Sequence, residues 1–65
     1  MAQYEPKVWY SVRWYDASEQ EHYWCGGWNK KGIYEEANKA LEISFIKSVK
    51  IFANDRFLDQ LIKEV

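Results

Sequence analysis

His22 and Cys25 are the side chains of this 65-residue chain best suited to nucleophilic or metal chemistry, and they lie three residues apart. A thiol is activated by an imidazole only within hydrogen-bond reach. Both fall in His22-Tyr23-Trp24-Cys25, a run of strand-forming types, and on an extended strand residues three apart point to opposite faces. The chain has one cysteine and one histidine, so a zinc centre has no further Cys or His to complete it. Cys25 therefore reads as a small buried hydrophobe.

Gly26-Gly27-Trp28-Asn29-Lys30-Lys31-Gly32 places glycines and two lysines ahead of a helix start. That composition suits an anion at a helix terminus, although the spacing departs from the phosphate-loop pattern. It reads equally as a solvated connection whose lysines rim a partner site. Glu35 and Glu36 are adjacent and diverge around a helix, while Glu42, Asp59 and Glu64 suit a solvated helix surface. A chain this short also has little room for a concave site of several hundred Å³. No catalytic residue, metal or cofactor is expected.

The remaining chemistry is aromatic. All four Trp and all five Tyr precede residue 35, and the three Phe follow it. Val8 to Tyr15 and His22 to Cys25 put rings on both faces of one hairpin. Helices cover one face of such a sheet, so several rings are left at the surface. Trp and Tyr are enriched at interfaces, and large exposed apolar patches usually have a reason.

The elements that must position these rings form one α+β domain over residues 1–65. Met1 to Pro6 is a lead-in, and the aromatic hairpin occupies 7–25 with its turn at Asp16 to Gln20. Ile33, Ala37, Ala40 and Leu41 mark a helix over about 33–42, with Glu35 and Glu36 in its first turn. Alternation predicts a strand over about 45–52. Asn54 or Asp55 then caps a helix over about 55–65, striped by Phe57, Leu58, Leu61, Ile62 and Val65. The expected fold is a two-layer β-β-α-β-α sandwich: a three-stranded mixed sheet, order 2-1-3, with both helices on one face.

If Asp16 opposes Glu21, Val12 faces Cys25, Trp14 faces Tyr23, Arg13 faces Trp24 and Tyr15 faces His22. Val8, Tyr10, Val12 and Trp14 then join the core with Tyr23 and Cys25. Trp9, Arg13, Tyr15, His22 and Trp24 take the open face, with Trp28 near Trp9. A slip of one residue would exchange the faces of the second strand. The open-face rings also have a plain structural use, packing on each other, on the Arg13 stem or against the segment around Tyr4.

Net charge is −1, divided evenly along the chain. A nucleic-acid binder normally shows a basic stripe or high pI, and a DNA mimic dense negative charge; this chain shows neither. No apolar stretch follows Met1 as in a secretory signal, and no run is long enough to span a bilayer. With a lone thiol, a cytoplasmic setting is expected. A domain of about 60 residues buries only around 60 % of its unfolded surface, so self-association would help it.

Gly32-Ile33-Tyr34-Glu35-Glu36-Ala37-Asn38-Lys39-Ala40-Leu41-Glu42 resembles the helix after the hairpin in HicB-type antitoxin domains. The aromatic hairpin, helix and third strand resemble, in layout, small phage-encoded inhibitors of host enzymes or defence proteins. The expected function is a non-enzymatic protein-binding module, such as an inhibitor of that kind. Its contact residues would be Trp9, Arg13, Tyr15, His22, Trp24, Trp28, Lys30 and Lys31, with backbone pairing along the edge of strand two or three. One alternative is a structural homodimer working through another surface. Another is single-stranded nucleic-acid binding, with Arg13, Lys30, Lys31, Lys47 and Lys50 tracking phosphates beside stacked bases.

Overall fold

The computed structural model describes residues 7–63; the lead-in Met1 to Pro6, with Tyr4, and the final Glu64 and Val65 lie outside the described residues. The elements are β1 (Tyr10–Tyr15), β2 (Glu21–Gly27), α1 (Lys30–Leu41), β3 (Ser48–Ala53) and β4 (Arg56–Ile62). They form one four-stranded sheet, order β2-β1-β3-β4, with every neighbouring pair antiparallel. The expected three-stranded mixed sheet with two helices is thereby corrected. The last element is a strand, and the described residues hold one α-helix.

The physical reason lies in two places. Asn54 and Asp55 have φ of 50° and 65°, the left-handed pair whose twist suits a two-residue hairpin turn, and short polar side chains tolerate it. They turn the chain back instead of capping a helix. β4 then satisfies the outer backbone groups of β3, which a helix would leave as an open edge. A bulge at Leu58 sets Ile51 against Asp59 but Phe52 against Phe57. It breaks the two-residue alternation, so Phe57, Leu58, Leu61 and Ile62 mimic a helical stripe.

A second bulge shapes the first hairpin. Val12 pairs with Cys25 as expected, but Arg13 pairs with Tyr23, Trp14 with His22 and Tyr15 with Glu21. Trp24 is the extra residue, so the residues before it on β2 change faces relative to the expected register. His22 comes to the helix side and Tyr23 to the open side.

α1 starts at Lys30, earlier than expected, because Asn29 caps it by accepting from the Gly32 N–H at 3.1 Å. Lys30 and Lys31 thus sit in the first turn, where Glu35 and Glu36 were expected. The helix buries Ile33, Ala37 and Ala40 against Val12, Val49 and Ile51, with Ile46 from the following loop. The alanines let the helix approach the sheet closely. Tyr10, Trp14, Trp24, Cys25 and Leu61 close the margins of this core. The Tyr34 hydroxyl donates to Asp59 at 2.9 Å and ties α1 to β4. None of the helices among the described residues is long and apolar enough to cross a membrane.

Candidate binding face on the open side of the sheet

Alternation along each strand determines what lies opposite α1. Ser11, Arg13 and Tyr15 on β1 pair with Phe52, Lys50 and Ser48 on β3, flanked by Glu21 and Tyr23 on β2 and by Phe57, Gln60 and Ile62 on β4. The centre carries two cations, and the flanks mix the large side chains Tyr23, Phe57 and Ile62 with Glu21 and Gln60.

The central cations are held by their neighbours. The Arg13 guanidinium carbon lies 4.3 Å from the centroid of the Phe52 ring, and Lys50 Nζ lies 4.9 Å from that of Tyr15. Arg13 also reaches Glu21 at 3.4 Å and Asp55 at 4.0 Å. The Tyr15 hydroxyl donates to Glu21 Oε2 at 2.6 Å. Burial, then this bond to a carboxylate, pushes the Tyr15 phenol up to about 12. The same hydroxyl is the main cause holding Glu21 below its ordinary value, with Arg13 and Lys50 adding to it. Around this network Tyr23 is 64 % exposed, Phe57 59 % and Ile62 65 %.

Trp9 closes one end of the face. It meets Trp28 edge-on at 4.9 Å between centroids and lies across Gly26, where a Cβ would stand 2.5 Å from Trp9 Cζ2 and 2.7 Å from Tyr23 Oη. Gly26 is therefore the slot that admits the indole. Trp28 is 60 % exposed, with Lys7 Nζ 5.9 Å from its ring centroid.

Of the contact residues expected from sequence, Trp9, Arg13 and Tyr15 share the open face, and Trp28 adjoins it through Trp9. Trp24 packs against the core margin on the helix side, so the expected facing of Arg13 and Trp24 is not formed, and Arg13 lies over Phe52 instead. His22 stacks on Trp14 at 4.1 Å and 18°, and its Nε2 lies 3.0 Å from Asp16 Oδ2. This contact is the first cause holding Asp16 below its ordinary value, and the Gln20 and Ser18 backbone N–H groups add to it. Lys30 and Lys31 are exposed on α1, in the helix layer. Tyr23, Phe52, Phe57 and Ile62 are the residues that sequence reasoning missed. The Asn54-Asp55 turn signal, read as a hairpin, would have placed the last two.

His22 and Cys25 share the helix side because of the Trp24 bulge, a correction to their expected divergence. The imidazole is nonetheless engaged by Trp14 and Asp16. Burial, with Glu36 adding, raises the Cys25 thiol and keeps it protonated near neutrality. A concavity of ≈ 430 Å³ beside the glycine loop is lined by Asn29, Glu35 and Glu36 among others, a carboxylate-bearing wall unsuited to an anion. Among the described residues no group of three or more His, Cys, Asp or Glu is placed to hold a metal ion.

No protein-family model, curated protein or solved structure matches this chain.

Proposed function

We propose that this chain is a non-enzymatic protein-binding module that docks through the open face of its sheet. The observation that carries this reading is the pattern of that face. A preorganised Arg13–Lys50 centre is flanked by Tyr23, Phe57 and Ile62, each more than half exposed. Exposed aromatic and aliphatic side chains beside an arginine are the residue types that protein contacts favour. A reducing, cytoplasmic setting fits the single thiol.

Both edge strands carry a bulge, at Trp24 and at Leu58, and bulges blunt edges against strand addition. The edge expected at strand three is covered by β4. Docking therefore uses the face. A homodimer through this face is disfavoured, because a two-fold axis through its centre brings Arg13 and Lys50 towards their own mates, a like-charge contact. Base stacking is disfavoured too. The central rings of Tyr15 and Phe52 already carry cations, and Tyr23 and Phe57 stand three strand spacings apart, about 14 Å.

Tyr23→Ser and Phe57→Ser, alone and together, are exposed-site changes expected to leave the fold within about 0.5 kcal/mol. Affinity capture from cell lysate with the native chain identifies the partner. The double variant is expected to lose it, and Lys30→Glu with Lys31→Glu to retain it. A folded double variant that captures the same partner equally well refutes docking through this face.

A further inference from the structure

One corner of the open face is a concavity of ≈ 460 Å³ walled by Tyr15, Lys47, Ser48, Lys50, Gln60 and Ile62, with Asp16, Ala17 and Glu19 of the β1–β2 turn at its rim. The wall is fixed by the backbone: Lys47 N–H donates to the Tyr15 carbonyl at 2.8 Å. Ser48 pairs with both Tyr15 and Ile62, and Lys50 with Gln60. The Tyr15 ring is held from its far end by Glu21 at 2.6 Å.

The charges there are unequal in availability. Asp16 Oδ1 accepts from the Ser18 and Gln20 N–H groups at 2.9 and 3.0 Å, and its Oδ2 meets His22. Glu21 is engaged by Tyr15 and Arg13. Among the described residues, Glu19 is the acid of the rim without such an engagement. Among the described residues no carboxylate lies within 4 Å of the amines of Lys47 or Lys50. The corner thus presents the Lys47 and Lys50 side chains, a ring and the aliphatic Ile62 side chain, 65 % exposed, against Glu19 as the one unengaged acid at its rim among the described residues.

We propose that this corner receives an acidic side chain of the docked protein, carried next to an aliphatic residue that covers Ile62. The inference rests on the docking reading above and specifies its partner. The carboxylate lies between Lys47 and Lys50, with the Gln60 amide and Ser48 hydroxyl as further donors, and complementarity of charge selects this segment over a neutral one.

The test is amide shift mapping by NMR on the full chain with two blocked peptides, Ac-Leu-Glu-Leu-Glu-Leu-NH2 and its lysine counterpart. The glutamate peptide is expected to shift the amides of Lys47, Ser48, Lys50, Gln60 and Ile62, more weakly as salt is raised, and the lysine peptide to leave them still. Lys47→Gln and Lys50→Gln should each weaken binding by about two- to fivefold. Lys50→Arg, which keeps the charge, should restore it. Corner amides that do not move, or that move equally in the double Gln variant, overturn the proposal. Shifts confined to Tyr23 and Phe57 overturn it while leaving the docking face standing. Corner shifts combined with protein capture indifferent to Tyr23→Ser and Phe57→Ser support the corner and remove the face reading.

Discussion

At the scale of single residues, Gly26 and Tyr15 show how the open face is made rigid. A methyl at position 26 would stand 2.5 Å from the Trp9 indole, so something must shift. Gly26→Ala is expected to displace Trp9 from its slot and cost about 1–3 kcal/mol, the usual scale of overpacking. Urea denaturation, with tryptophan emission read in the native baseline, measures both effects. Tyr15 gives a pH dependence of known sign. Its phenol is raised from 10.0 to about 12 in the folded chain, so the native state holds the proton where the unfolded state has lost it. The resulting stability is complete below pH 10 and is lost as pH rises towards about 12. Denaturation midpoints across that range should fall for the native chain, and less steeply for Tyr15→Phe, which removes the phenol at that position and leaves Tyr34, also raised by burial and by Asp59, to titrate.

At the scale of elements, the β3–β4 turn decides the architecture. Asn54 and Asp55 both take positive φ, and Asn54 also closes a pair of hydrogen bonds with Trp9, one from its N–H to the Trp9 carbonyl at 2.7 Å and one to its side chain at 3.0 Å. Asn54→Val combines a β-branched residue in the left-handed region with the loss of that side-chain acceptor, and should destabilise by about 2 kcal/mol. Asp55→Gly needs no strain at φ 65° and should be neutral or stabilising by a few tenths of a kcal/mol. A melting midpoint lowered for Asn54→Val and unchanged or raised for Asp55→Gly would confirm the turn. The first hairpin and α1 were legible because Val12, Cys25, Ile33, Ala37 and Ala40 keep a regular period. β4 was not, because the bulge at Leu58 spaces its apolar residues as a helix would. The same kind of slip at Trp24 moved His22 and Tyr23 to the faces opposite those expected.

At the scale of the whole molecule, a thin core leaves little margin. Val12, Ile46, Val49 and Ile51 are the largest fully buried side chains, and a chain of this length has about 3–10 kcal/mol of stability in all. Ile51→Ala should remove about 2–5 kcal/mol, leaving a fold that melts near or below room temperature by circular dichroism. Surface rings stand outside that balance, which is why Tyr23→Ser and Phe57→Ser separate binding from folding. The residue types by themselves determined that Trp and Tyr would exceed what one helical layer can cover, while Cys25, expected as a small buried hydrophobe, sits partly buried at the core margin. Counting rings needs no coordinates. Which rings stay outside was decided only by long-range pairing. Each bulge shifts a strand's facing by one residue, and its position depends on the partner strand, which no local window contains.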